Sequence, residues 1–168
     1  MEEASKPTGG RFQALRGMRD ILPEDAVWYR KVEDAFWQTA RRHGFEEIRT
    51  PVLEPTELYS RTVGESSDIV HREMYAFTDR SDNPVALRPE GTAGVARAYV
   101  QHGFSSRPQP VKVAYLQSMY RYERPQAGRY REHEQFGLEV FGSADPSVDA
   151  QVILTAWQAY RSLGLEAL

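Results

Sequence analysis

The stretch Ser118-Met119-Tyr120-Arg121-Tyr122-Glu123-Arg124-Pro125-Gln126-Ala127-Gly128-Arg129-Tyr130-Arg131-Glu132-His133-Glu134-Gln135-Phe136-Gly137-Leu138-Glu139-Val140-Phe141-Gly142 decides how this chain folds. Pro125 to Gly128 is a turn signal. Val111 to Tyr122 ahead of it is rich in β-branched and aromatic residues, and Glu132 to Phe141 behind it alternates, so the spacing predicts a long hairpin. Four arginines, Arg121, Arg124, Arg129 and Arg131, fall within eleven residues of a chain whose net charge is −3. They can form a local site for a phosphate or carboxylate, where a planar guanidinium fork recognises two oxygens at once. They can equally pair with Glu123, Glu132 and Glu134 across the strands, a common surface arrangement worth little energy. Both readings are open at this level.

Working outward, Pro23 can open a helix at its first turn, with Glu24 and Asp25 where the helix dipole favours acids. Val27, Trp28, Val32, Ala35, Phe36, Thr39 and Ala40 recur at helical spacing from Ala26 to His43, and Gly44 offers a left-handed stop. Arg41, Arg42 and His43 suit the carboxyl end of that helix and need no further role. Phe45 to Thr50 alternates as a strand that Pro51 ends, and a helix is expected around Pro55 to Thr62. Met74–Thr78 and Val85–Arg88, joined by the turn-rich Asp79–Pro84, predict a first hairpin. Pro89-Glu90-Gly91-Thr92 starts a helix running to about Gln101, with Gly103 as its stop. A last helix is expected from Pro146 to Leu163, with Ile153, Leu154, Trp157 and Tyr160 on its apolar face. This order predicts an α+β fold, an antiparallel sheet carrying helices on one face.

Composition narrows the function classes. The 168 residues fit one domain, with residues 1–15 as a flexible leader and 16–168 as the folded part. A chain of net charge −3 does not coat nucleic acid or anionic lipid as a polycation, so any nucleic-acid contact is local. Zero cysteines exclude a disulfide framework, a thiolate zinc site and a cysteine nucleophile. His43, His71, His102 and His133 lack the spacing of a metal pair, and no structural metal is expected. The first ten residues lack the basic flank and apolar stretch of a signal peptide, and no run approaches the roughly 20 apolar residues that span a bilayer. A cytoplasmic location without a membrane role is the expectation. Leu163 to Leu168 looks like a helix stop followed by the start of another element.

The Ser118–Gly142 stretch closely resembles motif 2 of class II aminoacyl-tRNA synthetases, in the form found in the histidyl-tRNA synthetase family. Arg88-Pro89-Glu90-Gly91-Thr92-Ala93 resembles that family's amino-acid-binding segment, and Gly44 to Pro51 is similar to motif 1, which builds the dimer interface. Arg16–Pro23 and Asp68–Phe77 also resemble the family, so the likeness runs from about residue 11 to the end.

The resemblance implies the fold of the class II catalytic core and a set of roles. The reaction would activate histidine with ATP to histidyl-adenylate and pass the histidyl group to tRNA-His. Mg²⁺ would arrive with ATP, held mainly by its phosphates. Arg121 matches the catalytic arginine on the α-phosphate, Glu123 a residue near adenine and ribose, and Arg129 one near the distal phosphates. His133 takes the place of an aromatic that stacks on adenine, because the family often has Phe-His where this chain has His133-Glu134. Glu90, Thr92 and Gln135 match residues that hold the α-ammonium of histidine, and Glu139 the carboxylate that reads the imidazole. Gln126 matches a contact to the acceptor end of tRNA, and Pro51 the dimer interface of a homodimer. Read as bare sequence, Glu90 and Thr92 could instead serve a helix start, and Gln135 and Glu139 the wet face of a strand. Nothing in the chain resembles motif 3, the family's histidine-specific segment with its further arginine, or its anticodon-binding domain. The expectation is therefore the first half of a catalytic domain, weak or inactive alone. The alternatives are the family's paralogue that regulates ATP phosphoribosyltransferase in histidine biosynthesis, or a dimerisation fragment without catalysis.

Overall fold

A computed structural model describes residues 12–64 and 72–165. Residues 1–11 of the expected leader, Asp68–His71 of the matched segment, and the final residues 166–168 lie outside the described residues. The order is α1 (Pro23–Arg42), β1 (Glu46–Glu47), β2 (Leu53–Pro55), α2 (Thr56–Val63), β3 (Ala76–Thr78), β4 (Pro84–Leu87), α3 (Thr92–Gln101), β5 (Val111–Tyr120), β6 (Glu132–Phe141) and α4 (Pro146–Ser162).

The long hairpin forms as expected. β5 and β6 pair antiparallel from Val111 opposite Phe141 to Tyr120 opposite Glu132. Residues paired in this way share a face, so odd-numbered side chains of both strands point to one side and even-numbered ones to the other. The odd side buries Val111, Val113, Tyr115 and Met119 against Val95 and Tyr99 of α3, with Ile48 and Phe104 at the margin. The even side packs Ala114, Phe136, Leu138 and Val140 against Trp37 and Ala40 of α1, Phe45, and Val152 of α4. Phe36 stacks on Phe136 with ring centroids 4.5 Å apart and meets Tyr160 edge-on at 5.6 Å. Helices therefore cover both faces, not the one face expected. The long strands are apolar on both sides, and either side can bury a helix.

The sheet is also divided. β1, β5 and β6 form one three-stranded sheet, and β2, β4 and β3 a second. The β3–β4 hairpin and the β2–β4 pair are antiparallel, but β1 runs parallel to β5, with Glu46 opposite Val113 and Glu47 opposite Ala114. β1 is shorter than the expected Phe45–Thr50 because the chain leaves the first sheet for the second before Pro51. β2 is an element that alternation over so few residues does not reveal. It places Pro55 opposite Val85, so α2 begins one residue later than expected.

At the end of α1, Gly44 has φ +77°, and the Phe45 amide bonds back to the Ala40 carbonyl at 3.0 Å, closing the helix as expected. The apolar stripe of α1 is buried only in its second half: Thr39 and Ala40 are enclosed, whereas Trp28 is 64% exposed. α4 likewise turns Thr155 and Ala159 inward and leaves Ile153, Leu154 and Trp157 of the expected apolar face largely outward, while Tyr160 of that face touches α1 through Phe36. Small residues let α4 approach α1 closely, which the size of the apolar side chains alone misjudged.

Two glycines make room for Tyr115. A Cβ on Gly137 would stand 2.1 Å from Tyr115 Cζ, and one on Gly91 2.3 Å. Gly137→Ala is expected to destabilise the chain by about 1–3 kcal/mol or more through overpacking of a ring held on both sides. Urea unfolding, with Gly128→Ala beside it, checks this. Gly128 has nothing within 4 Å of an added Cβ, and its φ of +75° makes its loss a backbone effect only.

Candidate functional site

The odd face of β5 and β6 is where the proposed side chains gather. Met119 lies opposite His133, Gln117 opposite Gln135, Tyr115 opposite Gly137 and Val113 opposite Glu139. Gln135 and Glu139 therefore flank Gly137 on the side that α3 approaches. Glu90 sits at the start of α3, its carboxylate accepting the backbone N–H groups of Thr92 (2.6 Å) and Ala93 (2.9 Å). It caps the helix that Thr92 might have capped, and α3 begins at Thr92 rather than Pro89. Freed from that task, the Thr92 hydroxyl donates to Glu139 Oε1 at 2.7 Å.

This end of the site is acidic and under-solvated. Burial holds the Glu139 carboxyl above its ordinary range, Glu90 adds to the rise, and the hydrogen bonds from Thr92 and Tyr115 oppose it. The Tyr115 hydroxyl is pushed up to about 12 by burial first and by the charge of Glu139 next. Gln135 Nε2 reaches that hydroxyl at 3.4 Å, while Gln135 Oε1 is buried without a hydrogen-bond partner. An unpaired buried acceptor beside two carboxylates is a place for an N–H donor, and a cation satisfies it best.

The other end is basic. Arg121 follows β5 and donates Nε to the Pro89 carbonyl at 2.7 Å. Its Nη1 is 3.9 Å from Glu123 Oε1, too long for a hydrogen bond, so among the described residues most of the fork is uncommitted. Glu123 lies closer to Arg129, 2.9 Å from Oε2 to Nε, though that N–H is not aimed at the oxygen. Glu132 and Glu134 take the hydroxyls of Tyr120 (3.2 Å) and Ser118 (2.8 Å) on the opposite face. Of the three acids that could have neutralised the hairpin arginines, Glu123 alone does so. His133 stands between the two ends, its pKa lowered by burial and then by the charge of Arg121. Both effects favour its uncharged form, against the opposing charges of Glu123 and Glu134.

Gln126 and Arg129 close the hairpin loop through reciprocal backbone bonds of 3.2 and 2.9 Å, and the Gln126 side chain is exposed at the tip. Pro51 is exposed away from the hairpin loop, with its carbonyl 3.4 Å from Arg88 Nη1.

Sequence reasoning missed Arg88 and Tyr115. Arg88 donates Nε to the Ser118 carbonyl (2.8 Å) and Nη1 to that of Thr50 (2.9 Å), while its own carbonyl accepts from Tyr120 N–H (3.0 Å). It rivets β5 to the Thr50–Pro51 segment and so fixes its neighbours Pro89 and Glu90. The signal for Tyr115 was Gly137, a glycine inside a strand, which marks a close approach. Among the described residues no group of three His, Asp or Glu side chains could hold a metal ion, and no helix is long and apolar enough to cross a membrane. The apolar cleft lined by Trp28, Val32, Phe36, Leu116 and Phe136, with Glu134 at its border, is on the even face, opposite to Gln135 and Glu139.

Comparison with known proteins agrees with this fold. The family profile described as histidyl-tRNA synthetase matches residues 17–168. A histidine–tRNA ligase of Desulforamulus reducens is 53% identical over 153 residues, 91% of this chain and 36% of the relative. Apo S. aureus histidyl-tRNA synthetase superposes with a TM-score of 0.78 at 38% identity, over 92% of this chain and 35% of that one. A Bacillus halodurans protein described as an ATP phosphoribosyltransferase regulatory subunit/histidyl-tRNA synthetase superposes with a TM-score of 0.79 at 31% identity, over 95% and 40%. The chain thus spans little more than a third of the curated relative it matches. With a match along nearly its whole length, and with the fold of that family's catalytic domain, this chain belongs to the histidyl-tRNA synthetase family.

Proposed function

We propose that this chain supplies the motif 1 and motif 2 half of a histidine–tRNA ligase active site, binding histidine at its acidic end and the α-phosphate of ATP at Arg121. The observation that carries this is the dipeptide Pro89-Glu90. The Pro89 carbonyl holds Arg121 Nε, while the adjoining Glu90 carboxylate borders the Thr92–Glu139 pair. One covalent unit thereby sets the distance between a cation and an acidic pocket, as an amino acid with an ammonium at one end and a carboxylate at the other requires.

In this reading the α-ammonium of histidine meets Glu90, Thr92 and Gln135 Oε1, and its imidazole N–H meets Glu139. The substrate carboxylate then faces the α-phosphorus. A carboxylate oxygen bonds to that phosphorus as its bond to the bridging oxygen of pyrophosphate breaks, leaving histidyl-adenylate. Arg121 neutralises charge on the non-bridging oxygens, a contribution realised mainly in the transition state. Glu123 and His133 border the nucleoside, and Arg129 the departing phosphates, whose Mg²⁺ enters with ATP. A terminal ribose hydroxyl of tRNA-His then attacks the carbonyl carbon, its proton passing to the departing phosphate as the carbonyl–phosphate oxygen bond breaks and AMP leaves, with Gln126 on the acceptor end and Pro51 in a homodimer interface. The regulatory role printed for the Bacillus halodurans neighbour is the second reading. The largely uncommitted fork of Arg121, held in place by the Pro89 carbonyl, favours the ligase, because a regulator has no adenylation step to stabilise.

Histidine-dependent exchange of pyrophosphate into ATP tests the reading in a full-length enzyme containing these residues. Activation of a phosphoribosyltransferase without such exchange would replace it with the regulatory role. Arg121→Ala is expected to lower exchange by about a hundredfold or more, the scale of losing one charge-stabilising donor.

Glu139→Gln separates binding from stability. A carboxyl whose pKa is raised by folding holds its proton more tightly folded than unfolded, so its contribution worsens as pH climbs above the ordinary carboxylate range. The variant should unfold at a higher temperature than the parent at neutral pH, the gain shrinking on acidification, while histidine-dependent exchange collapses. Equal melting temperatures across that pH range would refute the electrostatic account of Glu139.

A further inference from the structure

Before α1, the segment around Gly17–Arg19 lies across the far end of the hairpin. The Arg131 amide donates to the Gly17 carbonyl at 2.7 Å, and the Arg131 carbonyl in turn accepts from Arg121 N–H at 2.8 Å. The segment is thus bonded to the strand that is bonded to Arg121. Gly17 has φ +85°, and a Cβ there would stand 2.8 Å from both Arg131 Cγ and Pro125 Cγ. Its conformation and its lack of a side chain are both used to seat the backbone on the hairpin loop. Two residues on, the Arg19 guanidinium lies 4.4 Å from the ring centre of Tyr130 and 5.8 Å from that of Tyr29, and it bonds both hydroxyls. Tyr29 belongs to α1, so Arg19 ties the hairpin to that helix.

Arg131 passes the hold onward. Its guanidinium lies 3.7 Å from the ring centre of Tyr122, and its Nε donates to the Glu123 carbonyl at 3.2 Å. Nearer the tip, the arms are tied by the Gln126–Arg129 bridge and by the 2.9 Å approach of Arg129 Nε to Glu123 Oε2. From outside the loop, the Tyr122 amide donates to the Glu73 carbonyl at 2.6 Å on one arm, while the Gly17 carbonyl holds Arg131 on the other.

We propose that Gly17 and Arg19 form a positioning strap: by gripping Arg131 and Tyr130 they hold the hairpin loop, and with it Glu123 and Arg129, where ATP is bound. The inference rests on the ligase reading for its substrate and on hydrogen bonds within this chain for its mechanics.

Two measurements separate these parts. In the chain itself, hydrogen exchange is followed at the Arg131 and Arg129 amides of the parent, Arg19→Ala, Arg19→Lys and Gly17→Ala. In a full-length enzyme containing the same residues, KM for ATP and for histidine are read from pyrophosphate exchange. Arg19→Ala removes an exposed side chain and should keep the circular dichroism of the parent. It is expected to speed exchange at both amides and to raise KM for ATP about tenfold or more, with KM for histidine within about twofold. Arg19→Lys keeps the charge without the planar stack and should fall between. Gly17→Ala should match or exceed Arg19→Ala. Unchanged amide exchange, or equal rises in both KM values, would overturn the strap. Absence of histidine-dependent exchange in the parent would instead remove the ligase reading, leaving the strap to be judged by its amides.

Discussion

The pairing of β5 with β6 is the constraint from which the rest follows. It is an antiparallel ladder without a bulge, so its register assigns every side chain from Val111 to Phe141 to one of two faces. A shift by one residue would send Gln135 and Glu139 to the side covered by α1 and α4 and bring Glu134 and Phe136 to the side covered by α3. Tyr115 guards against such a slip. Its ring fits only where Gly137 lies opposite and Gly91 lies above. One aromatic residue therefore fixes the register of the ladder and the depth at which α3 docks on it.

A second fixed point, Arg88, ties the two sheets together. Burial lowers the pKa of its guanidinium, yet the group remains a cation satisfied by carbonyl oxygens. It holds no acid, unlike Arg97, which pairs with the buried Glu54 behind α3. Neutral acceptors suit it, because an acid at Arg88 would add negative charge close to Glu90. The cation thus stabilises the crossing without discharging the site.

Much of this was legible in the sequence. The hairpin, α1 with its glycine stop, and the β3–β4 pair follow from alternation, helical spacing and turn residues, which are local signals. The candidate site was legible through the motif that Arg121, Glu123, Arg129, Gln135 and Glu139 share with a known family. What escaped depends on partners far along the chain. β1 is two residues long and exists because β5 offers it a parallel edge, and β2 exists because β4 does. The burial of Thr155 and Ala159 in place of Trp157 and Ile153 depends on how closely α4 nests against α1. The division of labour at α3, with Glu90 capping and Thr92 released to Glu139, required knowing that β6 lies beside the helix.

The three tryptophans carry an optical consequence of this layering. Trp28 and Trp157 are 64% and 42% exposed, so their emission reports mainly on water. Trp37 is half-buried between α1 and the even face of β6 and meets Phe136 edge-on, with centroids 5.5 Å apart. Phe136 is the immediate neighbour of Gln135, whose side chain points to the other side of the same strand. A ligand that displaces β6 from the front is therefore registered at the back, and a chain keeping only Trp37 is its own fluorescent gauge of the site.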